Sequence, residues 1–305
     1  MTSTSAWAVW RTRGMTRVYG HYDEAMLPLS PPAPALIAAD IDGTFVDDTG
    51  AIPPKNLDAL QRARENGLDF CLVTARPPRW LTRFRGLSAG AIYAANGAYI
   101  LDAATGAILE DRGFSRSEVR AVARALAPVS GIALSAETAD GFVRERAFPS
   151  APAAGERDRE SDATFTLLSE ISCGAGKILA VSSLLDTAEF YREVRSRIKG
   201  LAELHVSTSD GLAELSPIGI SKATALAHAC HARGIEPAQV WAVGDMPNDL
   251  PMLNVAGVGI AVRNAHSGLH AHADALAPAN TDAGVAHVID AALRARALAR
   301  TTLGT

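Results

Sequence analysis

The architecture of the chain follows from one stretch, Ala35-Leu36-Ile37-Ala38-Ala39-Asp40-Ile41-Asp42-Gly43-Thr44. Its apolar first half predicts a buried strand, and Asp40 and Asp42 follow in a loop where Gly43 allows a sharp turn. Buried carboxylates need a partner, a hydrogen bond or a metal ion, so this pair indicates a hard cation or general acid/base chemistry. An ordinary strand-to-turn boundary is the alternative, because Asp and Gly are common in turns.

Two further apolar strands end in polar loops. Residues 68–73 lead into Thr74-Ala75-Arg76, and residues 240–243 lead into Gly244-Asp245-Met246-Pro247-Asn248-Asp249. Helical periodicity separates the strands, and Pro53-Pro54 and Pro77-Pro78 are predicted helix starts. Alternating strands and helices predict an α/β fold, a doubly wound, Rossmann-like parallel sheet with ligand groups at the carboxyl ends of its strands. Capping by Asp or Asn explains one of these polar residues, but not a second acidic loop.

The middle of the chain interrupts this alternation. Residues 99–101 and 107–110 predict a hairpin, and a helix with further short strands follows, so residues 99–211 form a predicted α+β insertion. The core is then residues 34–98 and 212–305. Residues 1–33, which end in a proline-rich linker, are expected to be a flexible extension dispensable for fold and chemistry, with Met15 as an alternative start.

Composition excludes several classes of protein. The net charge is −4, from 29 basic and 33 acidic residues, which argues against nucleic acid as a partner. No apolar run is long enough to span a membrane. Cys71, Cys173 and Cys230 are far apart and odd in number, which favours reduced thiols and a cytoplasmic location. His228 and His231 flank Cys230, but a solvated helix face explains them better than a metal site.

Lys222 begins a predicted helix, with Ser221 as its N-cap. A lysine in a first turn opposes the helix dipole, which favours an anion beside it, although a solvated surface lysine is the alternative. The predicted sheet edge thus collects carboxylates, a hydroxyl, a lysine and an amide, which together suit a phosphoryl group beside Mg²⁺. Oxygen ligands without His or Cys favour Mg²⁺ over zinc. The polar residues collected at this predicted sheet edge are Asp40, Asp42, Thr74, Lys222, Asp245, Asn248 and Asp249.

Four motifs, in this order, resemble the signature of the haloacid dehalogenase superfamily: Asp40-x-Asp42-Gly43-Thr44, Thr74, Lys222 and Gly244-Asp245-x-x-Asn248-Asp249. The long insertion is similar to the C2-type cap of its Cof-like phosphatase branch. Three short motifs also match that branch, namely Asn96-Gly97-Ala98, Ser221-Lys222-Ala223 and Asn264-Ala265. The resemblance spans about residues 35–296. Asp-x-Asp alone would be a weak signal, whereas the four motifs together are specific.

The resemblance implies a role for each motif residue. Asp40 would be the nucleophile and Asp42 the general acid/base. Mg²⁺ would be held by Asp40, the Asp42 backbone carbonyl and Asp245, with Asp249 as a direct or indirect partner. The phosphoryl oxygens would be bound by Thr74, the Ala75 N–H, Lys222 and Asn248. Ala75 departs from the glycine often found in relatives, but it still supplies an N–H.

The implied function is a Mg²⁺-dependent phosphatase that hydrolyses a small phosphorylated metabolite, with a sugar phosphate favoured, through an aspartyl-phosphate. A phosphotransferase or phosphomutase on the same fold is the enzymatic alternative. A catalytically silent binding protein is the alternative from another class, and the complete motif set argues against it. The physiological substrate and the oligomeric state have no signature in the sequence.

Overall fold

The computed structural model describes residues 8–12, 15–19, 33–87, 90–149, 164–205 and 211–303. These residues divide into two compact units. The first unit consists of Met1–Thr74, Gly86–Ala91 and Lys222–Thr305, and the second of Ala75–Arg85 and Ile92–Ser221. We keep the sequence-based boundaries near residues 99 and 211 as a proposal.

The strands are β1 (Ala8–Thr12), β2 (Met15–Tyr19), β3 (Leu36–Ala39), β4 (Asp69–Val73), β5 (Ala91–Ala94), β6 (Tyr99–Asp102), β7 (Ile108–Asp111), β8 (Ile132–Glu137), β9 (Phe142–Arg144), β10 (Thr164–Phe165), β11 (Lys177–Ser182), β12 (Glu203–His205), β13 (Ala213–Ser216), β14 (Val240–Gly244), β15 (Val258–Val262) and β16 (Ala275–Ala277). The α-helices are α1 (Pro54–Glu65), α2 (Arg116–Leu126), α3 (Thr187–Arg197), α4 (Lys222–Arg233), α5 (Leu250–Val255), α6 (Ser267–His270) and α7 (Gly284–Leu303).

The first unit is built on parallel strands in the order β16-β15-β14-β3-β4. Strand β3 is central and its four residues are fully buried, as its apolar sequence predicts. Ala39, the last residue of β3, pairs with Leu72 of β4 and Val243 of β14. The three strands therefore end at the same edge, and the loops that follow them begin side by side. The predicted α/β fold class is confirmed.

The second unit contains a mixed sheet in the order β10-β9-β8-β11-β13-β12. Its core combines this sheet with α2 and α3 and includes Val119, Leu126, Ile178 and Phe190. Strands β6 and β7 pair antiparallel, which confirms the predicted hairpin. Residues 150–163, within the predicted insertion, lie outside the described residues.

Two local predictions differ from the structure. Pro77-Pro78 does not start an α-helix, because only two 3₁₀ turns, Pro78–Trp80 and Thr82–Phe84, follow before Gly86 takes a positive φ of 74°. Within the segment predicted as a flexible extension, β1 and β2 form an antiparallel hairpin. Val9, Trp10, Val18 and Tyr19 have high strand propensity, a signal that the sequence prediction did not use.

No helix in the described ranges has both the length and the hydrophobicity needed to cross a membrane.

Candidate active site

Lys222 joins two of the motif carboxylates. It begins α4 and is only 1% exposed. Its Nζ lies 2.8 Å from Asp40 Oδ1 and 2.6 Å from Asp249 Oδ1. Because a buried ammonium is stable only when it is paired, these contacts explain a lysine at this position, and the reading as a solvated surface residue is wrong.

Asp40 and Asp42 occupy a tight turn at the end of β3. The Asp40 N–H donates to the Val243 carbonyl at 3.0 Å, which continues the sheet by one residue, and Asp40 is buried. Gly43 has a φ of +69°, and a Cβ there would lie 2.2 Å from Asp245 Oδ2. A side chain at position 43 would therefore strain the turn and displace the Asp245 carboxylate. Asp42, by contrast, is solvent-exposed.

The loop after β14 is organised by Asp249. Its Oδ2 accepts hydrogen bonds from the N–H groups of Asp245, at 3.0 Å, and Met246, at 2.9 Å. Asp245 Oδ1 in turn accepts from the buried Thr44 hydroxyl at 3.1 Å. Asp245 and Asp249 are thus joined within one loop by the hydrogen bond from the Asp245 N–H to Asp249 Oδ2.

Three carboxylates meet at this point. Oxygen atoms of Asp40, Asp245 and Asp249 all lie within 4.8 Å of one another, and all three residues are buried. This oxygen-only donor set fits a hard divalent cation. Asn248 Oδ1 is buried without a hydrogen-bond partner among the described residues, so a polar atom remains for a ligand. The residues present therefore fit the metal and phosphoryl group that the motifs imply.

The charges in the cluster also favour a bound divalent cation. Burial raises the pKa of Asp40 well above its usual range, and Asp249 and Asp245 add to this rise while Lys222 opposes it. Burial and then the charge of Asp249 raise the pKa of Asp245 to about 7. Burial lowers the pKa of Lys222, but Asp249 and Asp40 together raise it above its ordinary value. One ammonium does not neutralise three carboxylates, so a divalent cation would relieve their repulsion.

Two further predicted residues, Thr74 and Ala75, follow β4 directly in the sequence. Thr74 is fully buried directly after β4. Ala75 is half-buried and begins the second unit, where its carbonyl accepts a hydrogen bond from Lys177 Nζ at 3.0 Å. The phosphate-binding roles of Thr74, Ala75 and Asn248 stay predictions.

Sequence reasoning did not identify two residues that contact the site. The Thr44 hydroxyl binds Asp245, and the His266 N–H donates to the Asp245 carbonyl at 2.8 Å. Thr44 lies inside the first motif, so its position was a usable signal. His266 acts through its backbone, which no residue type would reveal.

Comparisons with known proteins agree with this geometry. Over residues 37–289 the chain matches the family described as haloacid dehalogenase-like hydrolase. It is 26% identical over 283 residues to the 5-amino-6-(5-phospho-D-ribitylamino)uracil phosphatase YwtE of Bacillus subtilis, covering 83% of this chain and 96% of the relative. It is 27% identical over 277 residues to the pyridoxal phosphate phosphatase YbhA of Escherichia coli, covering 83% and 97%.

Among solved structures, a haloacid dehalogenase-like hydrolase from Bacteroides thetaiotaomicron superposes with a TM-score of 0.69 at 24% identity, covering 84% of this chain and 98% of that one. The fold is therefore shared with that protein. Because the family match covers most of the chain and includes the motifs that build the carboxylate cluster, the chain belongs to the haloacid dehalogenase-like hydrolase family.

Proposed function

We propose that this hydrolase is a Mg²⁺-dependent phosphatase that cleaves a small phosphorylated metabolite through an aspartyl-phosphate. The observation that carries the proposal is the buried cluster of Asp40, Asp245, Asp249 and Lys222, beside an exposed second acid, Asp42. A nucleophile, a cation site and a separate proton donor are the groups that two-step phosphoryl transfer needs.

The metal ligands would be the carboxylates of Asp40 and Asp245, with the backbone carbonyl of Asp42. Bound Mg²⁺ would supply electrostatic compensation between the anionic nucleophile and the anionic phosphate. Asp249 already accepts from Lys222 and from two backbone N–H groups. We therefore assign it mainly to holding Lys222 and the Asp245 backbone in place, as an indirect metal partner.

In the first step, a carboxylate oxygen of Asp40 attacks phosphorus while the bond from phosphorus to the leaving oxygen breaks. Asp42 donates its proton to that oxygen, so the product leaves as a neutral alcohol. Lys222 lies 2.8 Å from Asp40 Oδ1, close enough to bind a transferring phosphoryl oxygen as well. Thr74, the Ala75 N–H and Asn248 would hold the other oxygens.

In the second step, Asp42 is a carboxylate and removes a proton from water. The water oxygen bonds to phosphorus, the bond between phosphorus and Asp40 breaks, and inorganic phosphate leaves. Asp42 is then protonated and ready for the next substrate. An exposed carboxylate suits this task, since both the leaving alcohol and the entering water must reach it.

The substrate class follows from the named activities of the relatives. One acts on a phosphorylated ribityl compound and the other on pyridoxal phosphate. Both are phosphate monoesters of small metabolites, and we propose the same class here, with sugar and sugar-alcohol phosphates as the first candidates.

The test is release of inorganic phosphate from a panel of sugar phosphates, pyridoxal phosphate, flavin mononucleotide and nucleotides. We expect activity that EDTA abolishes and Mg²⁺ restores, and that Asp40→Asn lacks because an amide is a poor nucleophile. Asp290→Asn, in an exposed ion pair with Arg62, is the matched control and should keep full activity. Phosphate release by Asp40→Asn at the wild-type rate would overturn the proposal, and label transfer to an added sugar would indicate a phosphotransferase.

A further inference from the structure

The turn that carries Asp42 is held by side-chain amides from distant parts of the first unit. Asn264 Nδ2 donates to the Gly43 carbonyl at 2.7 Å, and Asn56 Nδ2 donates to the Phe45 carbonyl at 2.8 Å. Asn280 Nδ2 donates to the Val46 carbonyl at 3.0 Å. Three asparagines thus fix main-chain carbonyls within four residues of Asp42 in the sequence.

Asn264 is oriented by a second hydrogen bond. Its Oδ1 accepts from the Asn280 N–H at 2.9 Å, so its Nδ2 is the end that faces Gly43. An amide bound at both ends has one orientation, and it transmits that orientation to the Gly43 carbonyl. Gly43 is the residue directly after Asp42.

The loop after β15, which carries Asn264, also holds Asp245. Two residues after Asn264, the His266 N–H donates to the Asp245 carbonyl at 2.8 Å. On the other side, Thr44 donates to the Asp245 carboxylate at 3.1 Å. The loop after β15 therefore fixes the Gly43 turn and the Asp245 backbone relative to each other.

We propose that Asn264 is a positioning residue for Asp42, an inference that rests on the proposed acid/base role of Asp42. By binding the Gly43 carbonyl, Asn264 sets the direction in which the preceding residue presents its carboxyl group to the leaving oxygen. Asn56 and Asn280 act further along the turn, where they stabilise it without adjoining Asp42. Asn264 is exposed, so its replacement leaves the packing of the core intact.

The test uses Asn264→Asp and Asn264→Ala. The Asp variant keeps the acceptor for Asn280 but places an oxygen against the Gly43 carbonyl, whereas the Ala variant removes both bonds without adding charge. Asn66→Asp is the matched control, because Asn66 Nδ2 also donates to a backbone carbonyl, that of Arg62, at 2.9 Å, away from the site. Asp42→Asn is measured beside them.

The measurement is kcat/KM with Mg²⁺ for p-nitrophenyl phosphate and for glycerol 2-phosphate. The aryl oxygen leaves without protonation, whereas the alkyl oxygen needs an acid. Misplacing the acid should therefore lower kcat/KM for the alkyl ester by about tenfold and for the aryl ester by less than about threefold in both Asn264 variants. Asn66→Asp should match the wild type.

Two results would overturn the inference. If the Asn264 variants lose activity equally on both esters, or on neither, while Asp42→Asn loses far more on the alkyl ester, Asn264 does not position the acid. If Asp42→Asn itself loses equally on both esters, the acid role of Asp42 fails, and the inference fails with it.

Discussion

At the level of individual residues, Asp42 and Asp245 are both assigned to the proposed site but have different environments. Asp245 is buried and its carboxylate accepts from Thr44, whereas Asp42 is exposed. A buried carboxylate in an acidic cluster suits a cation, and an exposed one suits proton exchange with substrate and water. The two substitutions Asp42→Asn and Asp245→Asn should therefore affect different properties of the enzyme.

We expect Asp42→Asn to lower kcat by about 10²- to 10⁴-fold, the usual contribution of a placed acid, with a near-unchanged Mg²⁺ requirement. Asp245→Asn should instead raise the Mg²⁺ concentration for half-maximal activity by more than about tenfold, because it removes a charged ligand. Activity titrated against Mg²⁺ checks both expectations. The same metal dependence in the two variants would contradict this division of roles.

The raised pKa of Asp245, about 7 against 3.8 for an unperturbed carboxyl, predicts how the metal-free protein responds to pH. Between these values the folded state binds more protons than the unfolded state, so stability decreases as pH rises. The contribution is complete below about pH 4 and is lost as pH rises through about 7. Mg²⁺ requires the deprotonated carboxylate, so its stabilising effect should increase over the same range.

Thermal unfolding with EDTA and with Mg²⁺ at pH 5 and pH 8 measures this effect. We expect the Tm in EDTA to fall between the two pH values, and Mg²⁺ to raise the Tm more at pH 8. Asp245→Asn should show a smaller fall, since its amide does not titrate. If the Tm in EDTA falls by the same amount between pH 5 and pH 8 in the wild type and in this variant, other groups cause the pH dependence.

At the level of secondary-structure elements, the turn after β3 depends on Gly43. Its φ of +69° is unfavourable for other residues, and a Cβ would lie 2.9 Å from Asp245 Cγ. We expect Gly43→Ala to lower stability by about 1–3 kcal/mol and to weaken Mg²⁺ binding, because Asp245 must move. Gly67→Ala is the matched control, with a φ of +62° but no atom within 4 Å of the added Cβ.

Urea unfolding and Mg²⁺ titration of the two glycine variants separate strain from displacement of Asp245. Both variants should lose stability, but only Gly43→Ala should bind Mg²⁺ more weakly. Unchanged Mg²⁺ binding in Gly43→Ala would show that Asp245 tolerates the added methyl group.

Elements defined by local pattern could be predicted from the sequence, and contacts between distant residues could not. The apolar runs before Asp40, Thr74 and Gly244 predicted the strand ends correctly, because burial on both faces leaves a continuous hydrophobic signature. Asn264 and Gly43 are 221 residues apart, and their hydrogen bond has no local signal. The segment after Pro77 looked helical, but its short 3₁₀ turns have no distinct periodicity.

On the scale of the complete chain, the second unit has its own core and contains a buried ion pair and a part-buried one. Lys177 Nζ lies 2.5 Å from Glu214 Oε2 and also donates to the Ala75 carbonyl. Arg79 binds Glu137 through two hydrogen bonds of 2.8 Å each. These pairs attach the segment that begins at Ala75 to strands β8, β11 and β13. The sequence-based boundary near residue 99 did not anticipate that attachment.

Breaking the buried pair should destabilise the second unit strongly. Lys177→Met removes the ammonium that pairs with Glu214, and we expect a loss of about 3 kcal/mol or more in unfolding free energy. Arg62→Gln is the matched control, because its pair with Asp290, at 2.8 Å, is exposed, and exposed pairs contribute about 1 kcal/mol or less. Urea unfolding followed by circular dichroism compares them. Equal losses in the two variants would mean that the Lys177 pair is not effectively buried.

The proposed reaction requires phosphorus to become bonded to Asp40 during turnover. Acid quenching of the enzyme with substrate and Mg²⁺, followed by borohydride reduction and peptide mass spectrometry, detects an aspartyl-phosphate as homoserine. We predict homoserine at position 40 only when substrate and Mg²⁺ are both present, and none in Asp40→Asn. Two results would contradict Asp40 as the nucleophile: homoserine at another aspartate position, or no homoserine at position 40 in samples that were quenched during phosphate release.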